Sequence, residues 1–269
     1  MLFYIEKNML AQSHRSDPRI LGRRTLQQDH RCLAELLRPG LFVLDVGCGT
    51  GAITAGIAKA VGPHGHVVGI DRDEVLLNLA RTEHAMHPNL QFECGDATTL
   101  TFRAQFDIVT AARTLQWIAE PALAISKMQQ AAKPAGVLVI LDYNHAANEW
   151  APNPPREFQR FYGAFLAWRQ ANGWDNEMAD HLPELCRSAG LVDVKSRVQD
   201  EVVERGGPEF AERTALWPEV IENVGEQLVT AGFCTEFQLE ESRECYGSWA
   251  KTALMKQTLA MRAVSGRVP

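Results

Sequence analysis

Two rhythms of apolar and polar positions alternate along residues 25–143. Leu26, Leu33, Leu36 and Leu37 fall at helical spacing across residues 25–37, and Pro39-Gly40 ends that helix. The run LFVLDVG at 41–47 is short, apolar and closed by glycine, the pattern of a strand buried on both faces of a parallel sheet. Ile53, Ile57, Ala58 and Val61 return to the helical period. Residues 66–71 then predict a second strand, and 73–85 a helix with Val75, Leu76, Leu79 and Ala80 inward. Residues 90–94 and 106–110 predict a third and a fourth strand, 121–132 a helix and 136–142 (GVLVILD) a fifth strand.

Strands alternating with helices at this spacing predict βαβ units, hence an α/β fold with a doubly wound parallel sheet. Crossovers in such a sheet are right-handed, and its ligand lies beyond the carboxyl ends of the strands. After Asp142 the rhythm breaks. Residues 144–181 carry Asn153-Pro154-Pro155 and then Phe158, Phe161, Tyr162, Phe165, Trp168 and Trp174, which reads as a helical, aromatic-rich insertion. Strand character returns at 191–198, helical character at 208–231 and 236–251, and alternation at 257–265. The chain is therefore expected to be one domain, 1–269. It divides into an N-terminal helical cap (1–40), a ligand-binding half (41–143), the insertion (144–190) and a C-terminal half of the sheet with a helical insert (191–269).

Composition narrows the partners. The 269 residues are 46% apolar and 22% charged, globular proportions that leave no room for a disordered or coiled-coil reading. A net charge of −6 without a basic run gives no electrostatic footprint for a phosphate backbone. The six cysteines show neither a C-x-x-C pair nor zinc spacing, and are expected to be reduced, buried thiols. The opening residues lack the pattern of a signal peptide, and no segment is apolar over the ~20 residues needed to span a bilayer. A cytoplasmic protein without membrane insertion is expected, its oligomeric state left open, a homodimer included.

The chemistry is concentrated at strand ends. Val43 to Gly51, VLDVGCGTG, closes the first strand with Gly47, Gly49 and Gly51, where a tight turn brings backbone N–H groups to a ligand at a helix start. Gly47, Gly49 and Ala52 also satisfy the dinucleotide pattern G-x-G-x-x-G/A, so a nicotinamide-dependent oxidoreductase stays open. Asp45, two residues before the first glycine, opposes a pyrophosphate but suits a ligand carrying an ammonium and a sulfonium. Asp71 ends the second strand, placed to take ribose hydroxyls. Gly95-Asp96-Ala97 ends the third, where a carboxylate and a backbone N–H can read an adenine edge. The Y-x-x-x-K pair of short-chain dehydrogenases is missing from the sequence.

These motifs, together with FDIVTAARTLQWIAEP at 106–121, resemble in order those of class I S-adenosylmethionine-dependent methyltransferases, in particular the small-molecule, ubiquinone/menaquinone-methylase-like branch. The resemblance covers roughly Arg38 to Asp142. It implies a seven-stranded, mostly parallel sheet with the last strand antiparallel, 192–198 and 257–265 supplying the sixth and seventh strands. It also implies S-adenosylmethionine as cofactor, with Gly47, Cys48, Gly49 and Gly51 forming the loop at its methionine part and Asp45 near the ammonium through water. Asp71 would bind the ribose with Arg72 beside the adenine, and Asp96 and Ala97 would read the adenine edge. Ala112 and Arg113 would border the sulfonium side, and Gln116 would face the methionine or the acceptor; the plainer reading of Arg113 and Gln116 is solvent-facing loop. A catalytically silent S-adenosylmethionine-binding partner protein also stays open, since fold does not fix function.

The acceptor is expected to be a small metabolite, with no role for nucleic acid. The fourth strand runs into VTAARTLQW rather than N/D-P-P-aromatic, and no Pro-Cys nucleophile occurs. Trp117, Asn144, Trp150, Phe161, Phe165 and Trp168 are the candidate acceptor contacts, although each aromatic can equally be a core residue of a packed helix. His14, His30, His64, His66, His84 and His87 read as surface or capping residues. His145, Glu149 and His181 are too weak a set to predict a metal, and none is expected. His145, directly after the fifth strand, is the candidate general base with an ionisation near pH 6–7, and Tyr143 the candidate acceptor-orienting group.

Overall fold

The computed structural model describes residues 17–269, so residues 1–16 of the expected N-terminal cap lie outside the described residues. The described chain forms two compact units. The sheet unit comprises Pro18–Tyr143, Met178–Gln199 and Met261–Pro269; the other, here the aromatic unit, includes Asn144–Glu177 and Asp200–Ala260.

In the sheet unit, β1 (Phe42–Val46), β2 (His66–Asp71), β3 (Leu90–Cys94), β4 (Phe106–Ala112), β5 (Ala132–Tyr143), β7 (Val192–Val198) and β10 (Met261–Arg267) form one seven-stranded sheet. Their order is β3-β2-β1-β4-β5-β10-β7. β1 pairs parallel with both β2 and β4, while β10 runs antiparallel to β5 and to β7. The strand order therefore reverses between β1 and β4, the crevice at which a doubly wound sheet binds its ligand.

Consecutive strand residues feed opposite cores, which is why these strands read as unbroken apolar runs. Val43, Val67, Ile108 and Val139 pack with Leu26, Leu33, Ile53 and Ile57 on one face. Leu44, Val68, Val109 and Leu138 pack with Ile125, Met128, Met178 and Leu182 on the other. The helices that cover the sheet are α4 (Ala52–Val61), α5 (Glu74–Glu83), α6 (Pro121–Ala131) and α8 (Met178–Ser188).

Three expectations change on contact with the structure. The helix predicted over 25–37 breaks into α2 (Leu26–Asp29) and α3 (Arg31–Ala34), which follow the short α1 (Pro18–Gly22). His30 between them has φ −145° and ψ 55°, and its ring turns onto β4. α5 buries Leu76, Leu77 and Ala80, whereas Val75 and Leu79, expected inward, are exposed. The strand predicted over 257–265 divides at Ala260 into β9 (Lys256–Leu259), in the aromatic unit, and β10.

The aromatic unit holds an antiparallel sheet of β6 (Glu149–Ala151), β9 and β8 (Glu201–Glu204) in the order β6-β9-β8. Its helices are α7 (Arg156–Ala171), α9 (Phe210–Thr214), α10 (Leu216–Thr230) and α11 (Glu236–Thr252). Phe158, Phe161, Phe165 and Trp168, three or four residues apart, make one buried stripe on α7. Phe158 lies 4.4 Å from the Tyr246 ring, and Trp150 packs edge-on to Phe158, Tyr162 and Trp217. Among the described residues, no helix is long and apolar enough to cross a membrane. All six cysteines are free thiols, but only Cys186 is fully buried and Cys94 is exposed, against the expectation of burial.

Candidate active site

The loop after β1 is built by backbone conformation. Gly47, Gly49 and Gly51 have φ of 78°, 55° and 74°, the left-handed region open to glycine. At Gly47 the need is also spatial, because a Cβ there would overlap the side chain of Thr114. The N–H groups of Gly47 and Cys48 donate to the Ile70 carbonyl at 2.7 and 2.9 Å, which ties the turn to the end of β2.

Asp71 closes that connection. One carboxylate oxygen accepts the Gly49 N–H and the other the Asp73 N–H, both at 2.9 Å. A carboxylate accepts about four hydrogen bonds, so a held Asp71 keeps acceptor capacity for two vicinal hydroxyls. Asp96 is fixed in a similar way, one oxygen accepting from the Thr98 N–H (2.8 Å) and hydroxyl (2.6 Å), and Ala97 beside it is buried. Arg72 is exposed.

Asp45 lies within the sheet at 3% exposure, opposite Gly69 on one side and Thr110 on the other. Its carboxylate accepts a 2.7 Å hydrogen bond from Thr54 on α4. Burial pushes its pKa up to about 6, the Thr54 hydroxyl pulls the other way and the nearby Asp71 adds to the rise. Burial likewise holds the Cys48 thiol protonated. A buried carboxylate short of donors, behind a turn of backbone N–H groups, fits a ligand that brings its own ammonium. These residues fit the nucleoside and amino acid parts of S-adenosylmethionine.

The loop after β4 departs from the plainer reading of it. Arg113 and Gln116 are buried rather than solvent-facing. Arg113, with φ 58°, donates through Nε to the Tyr143 hydroxyl at 3.0 Å and through one terminal nitrogen to the Asp29 carbonyl at 3.1 Å. Its other terminal nitrogen lies 3.6 Å from the Asp29 carboxylate. The Gln116 N–H donates to Asp142 and its side-chain amide to the Arg113 carbonyl, both at 3.1 Å. Ala112 and Trp117 are half-buried.

Asp29, His30, Thr54 and Asp142 escaped the sequence reading. His30, taken there for a surface residue, is fully buried with Nε2 2.8 Å from the Thr110 hydroxyl, which itself donates to the Val139 carbonyl. Burial, then Arg113, lowers its pKa to about 3. Its only sequence signal is a position four residues after Leu26 on the inward face.

His145, Asn144, Trp150, Phe161, Phe165 and Trp168 belong to the aromatic unit, and Tyr143 to the sheet unit. His145 is buried edge-on to Phe165 at 5.9 Å; its N–H donates to the Asn176 carbonyl, and its carbonyl accepts from the Tyr162 hydroxyl at 2.6 Å. Burial, then Arg169, holds its pKa well below 6.5, so the expected ionisation near pH 6–7 does not hold. Among the described residues, no group of three or more His, Cys, Asp or Glu is placed to hold a metal ion.

A glycine turn at the switch point, followed by carboxylates ending β2 and lying after β3, defines a Rossmann-like nucleoside-binding protein of the class I methyltransferase type. A family model described as a methyltransferase domain matches residues 37–184, more than half of the chain, and the chain belongs to that family of S-adenosylmethionine-dependent enzymes. It is 38% identical over 173 residues to the demethylmenaquinone methyltransferase of Staphylococcus aureus, covering 60% of this chain and 72% of that protein. It is also 38% identical over 104 residues to an uncharacterised 37.1 kDa protein of a Streptomyces fradiae transposon, covering 38% of this chain and only 30% of that protein. In fold it is similar to the Haemonchus contortus phosphoethanolamine N-methyltransferase 2 complexed with S-adenosyl-L-methionine. That likeness has a TM-score of 0.56 at 19% identity, over 90% of this chain and 52% of that one.

Proposed function

We propose that this chain transfers a methyl group from S-adenosylmethionine to a small metabolite carrying an apolar or aromatic ring. The observation that carries this reading is the loop after β4. Its one arginine lies buried against Asp29 and Tyr143 and so presents no basic surface to an acceptor. The net charge of −6 also disfavours a polyanionic acceptor. The Staphylococcus aureus relative is named for demethylmenaquinone, a ring of this kind.

In this reading Asp71 takes the ribose hydroxyls, the second oxygen of Asp96 takes the adenine amino group, and Asp45 sits behind the ammonium. Bound S-adenosylmethionine supplies a methyl already activated on a sulfonium, so the enzyme has mainly to hold donor and nucleophile in line and keep water out. Half-buried Trp117 and the Tyr143 hydroxyl are the acceptor contacts proposed from the sheet unit. Phe161, Phe165 and Trp168 serve as core of the aromatic unit, and Trp150 keeps a half-buried face.

The test is a mass-spectrometric screen of quinols, phenols and amines with methyl-labelled S-adenosylmethionine. A labelled product together with S-adenosylhomocysteine is expected from a ring-bearing acceptor. Turnover with nucleic acid and with none of the small molecules would overturn the reading.

A further inference from the structure

The end of α5 lies against the back of the glycine loop. His84, which caps α5, places Nε2 3.1 Å from the Thr50 carbonyl. A carbonyl oxygen only accepts, so that nitrogen carries the hydrogen. The same peptide unit is held at its other end, where the Gly51 N–H donates to the Cys48 carbonyl at 2.9 Å. The His84 and Phe92 rings, 6.2 Å apart, also close the space behind Gly51. A Cβ there would lie 2.5 Å from Phe92 Cζ and 3.0 Å from His84 Cδ2. Phe92 is fixed in turn by Arg81, whose Nε and one terminal nitrogen donate to its carbonyl at 3.3 and 3.1 Å.

We propose that His84 is a positioning residue for the cofactor, fixing the Thr50–Gly51 peptide so that the start of α4 stays aimed at the carboxylate of the amino acid part. Gly51 is the N-cap of α4, with φ 74° and ψ 9°. The first N–H groups of a helix have no partner within it, and together with the helix dipole they favour an anion. Their direction follows from the peptide plane that enters the helix. A plane held at both its carbonyl and its N–H has no freedom to flip, whereas a glycine released at one end has a wide choice of backbone angles. The hold comes from outside the loop, 34 residues along the chain from Thr50. His84 also walls an open cavity of about 380 Å³, whose lining includes Arg81, His87, Leu90, Phe92 and Glu93. A small ring can therefore reach the place of its imidazole from solvent.

This inference rests on the glycine loop cradling the amino acid part of S-adenosylmethionine, and its test compares two ligands. S-adenosylhomocysteine carries that part, whereas 5′-methylthioadenosine keeps the nucleoside and lacks it. In titration calorimetry His84→Ala should bind S-adenosylhomocysteine about tenfold more weakly, the scale of one hydrogen bond, with its affinity for 5′-methylthioadenosine unchanged. Added imidazole should enter the cavity, donate to the Thr50 carbonyl and restore most of the lost affinity, while leaving wild type as it was. An unchanged affinity for S-adenosylhomocysteine would overturn the proposal. So would an equal loss for both ligands, or a loss that imidazole does not repair, either of which would make His84 a structural cap of α5. If His84→Ala fails to fold, His84→Phe, which keeps a ring against Gly51 and removes the donor, is judged by the same two ligands. Wild-type protein that binds both ligands equally well would instead overturn the reading of the loop as the cradle.

Discussion

Arg113 grips Asp29 twice, at the carbonyl (3.1 Å) and at the carboxylate (3.6 Å). Through that grip a residue directly after β4 fixes a residue of the N-terminal helices, 84 positions away. Truncating one partner removes a charged contact from the other inside the protein, a loss of ~3–5 kcal/mol in comparable pairs. Asp29→Ala should therefore lower unfolding stability by about that amount in urea titrations. Asp29→Ala/Arg113→Met should recover a large part of it. Additive losses would show that the two side chains do not act as a pair.

Asp71→Ala removes the acceptor proposed for the ribose and the anchor of the Gly49 N–H. S-adenosylhomocysteine binding should weaken by ~1.5–3 kcal/mol, the scale of charge-assisted hydrogen bonds. An unchanged Kd in titration calorimetry removes Asp71 from the cradle.

Asp45 gives the cradle a pH signature. Its folded pKa of about 6 lies above the ordinary carboxylate value of 3.8, so the native state holds this proton more tightly than the unfolded chain. Its contribution is complete below about pH 4 and is lost as pH rises through 6, leaving a cost of ~3 kcal/mol at most above that. Asp45→Asn should accordingly be more stable than wild type at pH 8 and equal to it near pH 4. S-adenosylhomocysteine, whose ammonium favours the charged carboxylate, should expel a proton on binding near pH 6. Calorimetry in buffers of different ionisation enthalpy measures that release.

His30 works in the opposite direction. Its folded pKa of about 3 lies below 6.5, so the unfolded chain takes up a proton first as pH falls. The native state should lose about 1.4 kcal/mol per pH unit between 6.5 and 3 through this residue. His30→Gln should flatten the acid limb of a stability profile, and an unchanged limb would place the ring in water.

How much could be read from the chain depended on how local the cause was. β1 to β5 and the turn at Gly47 are legible because both-faced burial writes apolar runs, and a left-handed turn asks for glycine at fixed offsets. The break at His30 is not, because its cause is Thr110, 80 residues away. α5 was placed correctly, yet its inward face was misjudged. Val75 and Leu77 compete for burial on similar apolar character, and the sheet decides between them. The division at Ala260 was hidden because β9 and β10 alternate in one continuous pattern while bonding in different sheets. Arg113 looked like a loop cation because nothing nearby in sequence announces Asp29.

The place of β10 sets a timetable for synthesis. Among the described residues β7 is bonded in the sheet only to β10, and 62 residues separate the end of one from the start of the other. At translation rates of ~5–20 residues per second, β7 waits roughly 3–12 s for that neighbour. During that wait the open edge of β5 is exposed as well, because β10 must slot between the two. A ribosome stalled in this interval would display two unpaired strand edges at once, and it is there that a nascent chain of this protein should most need a chaperone.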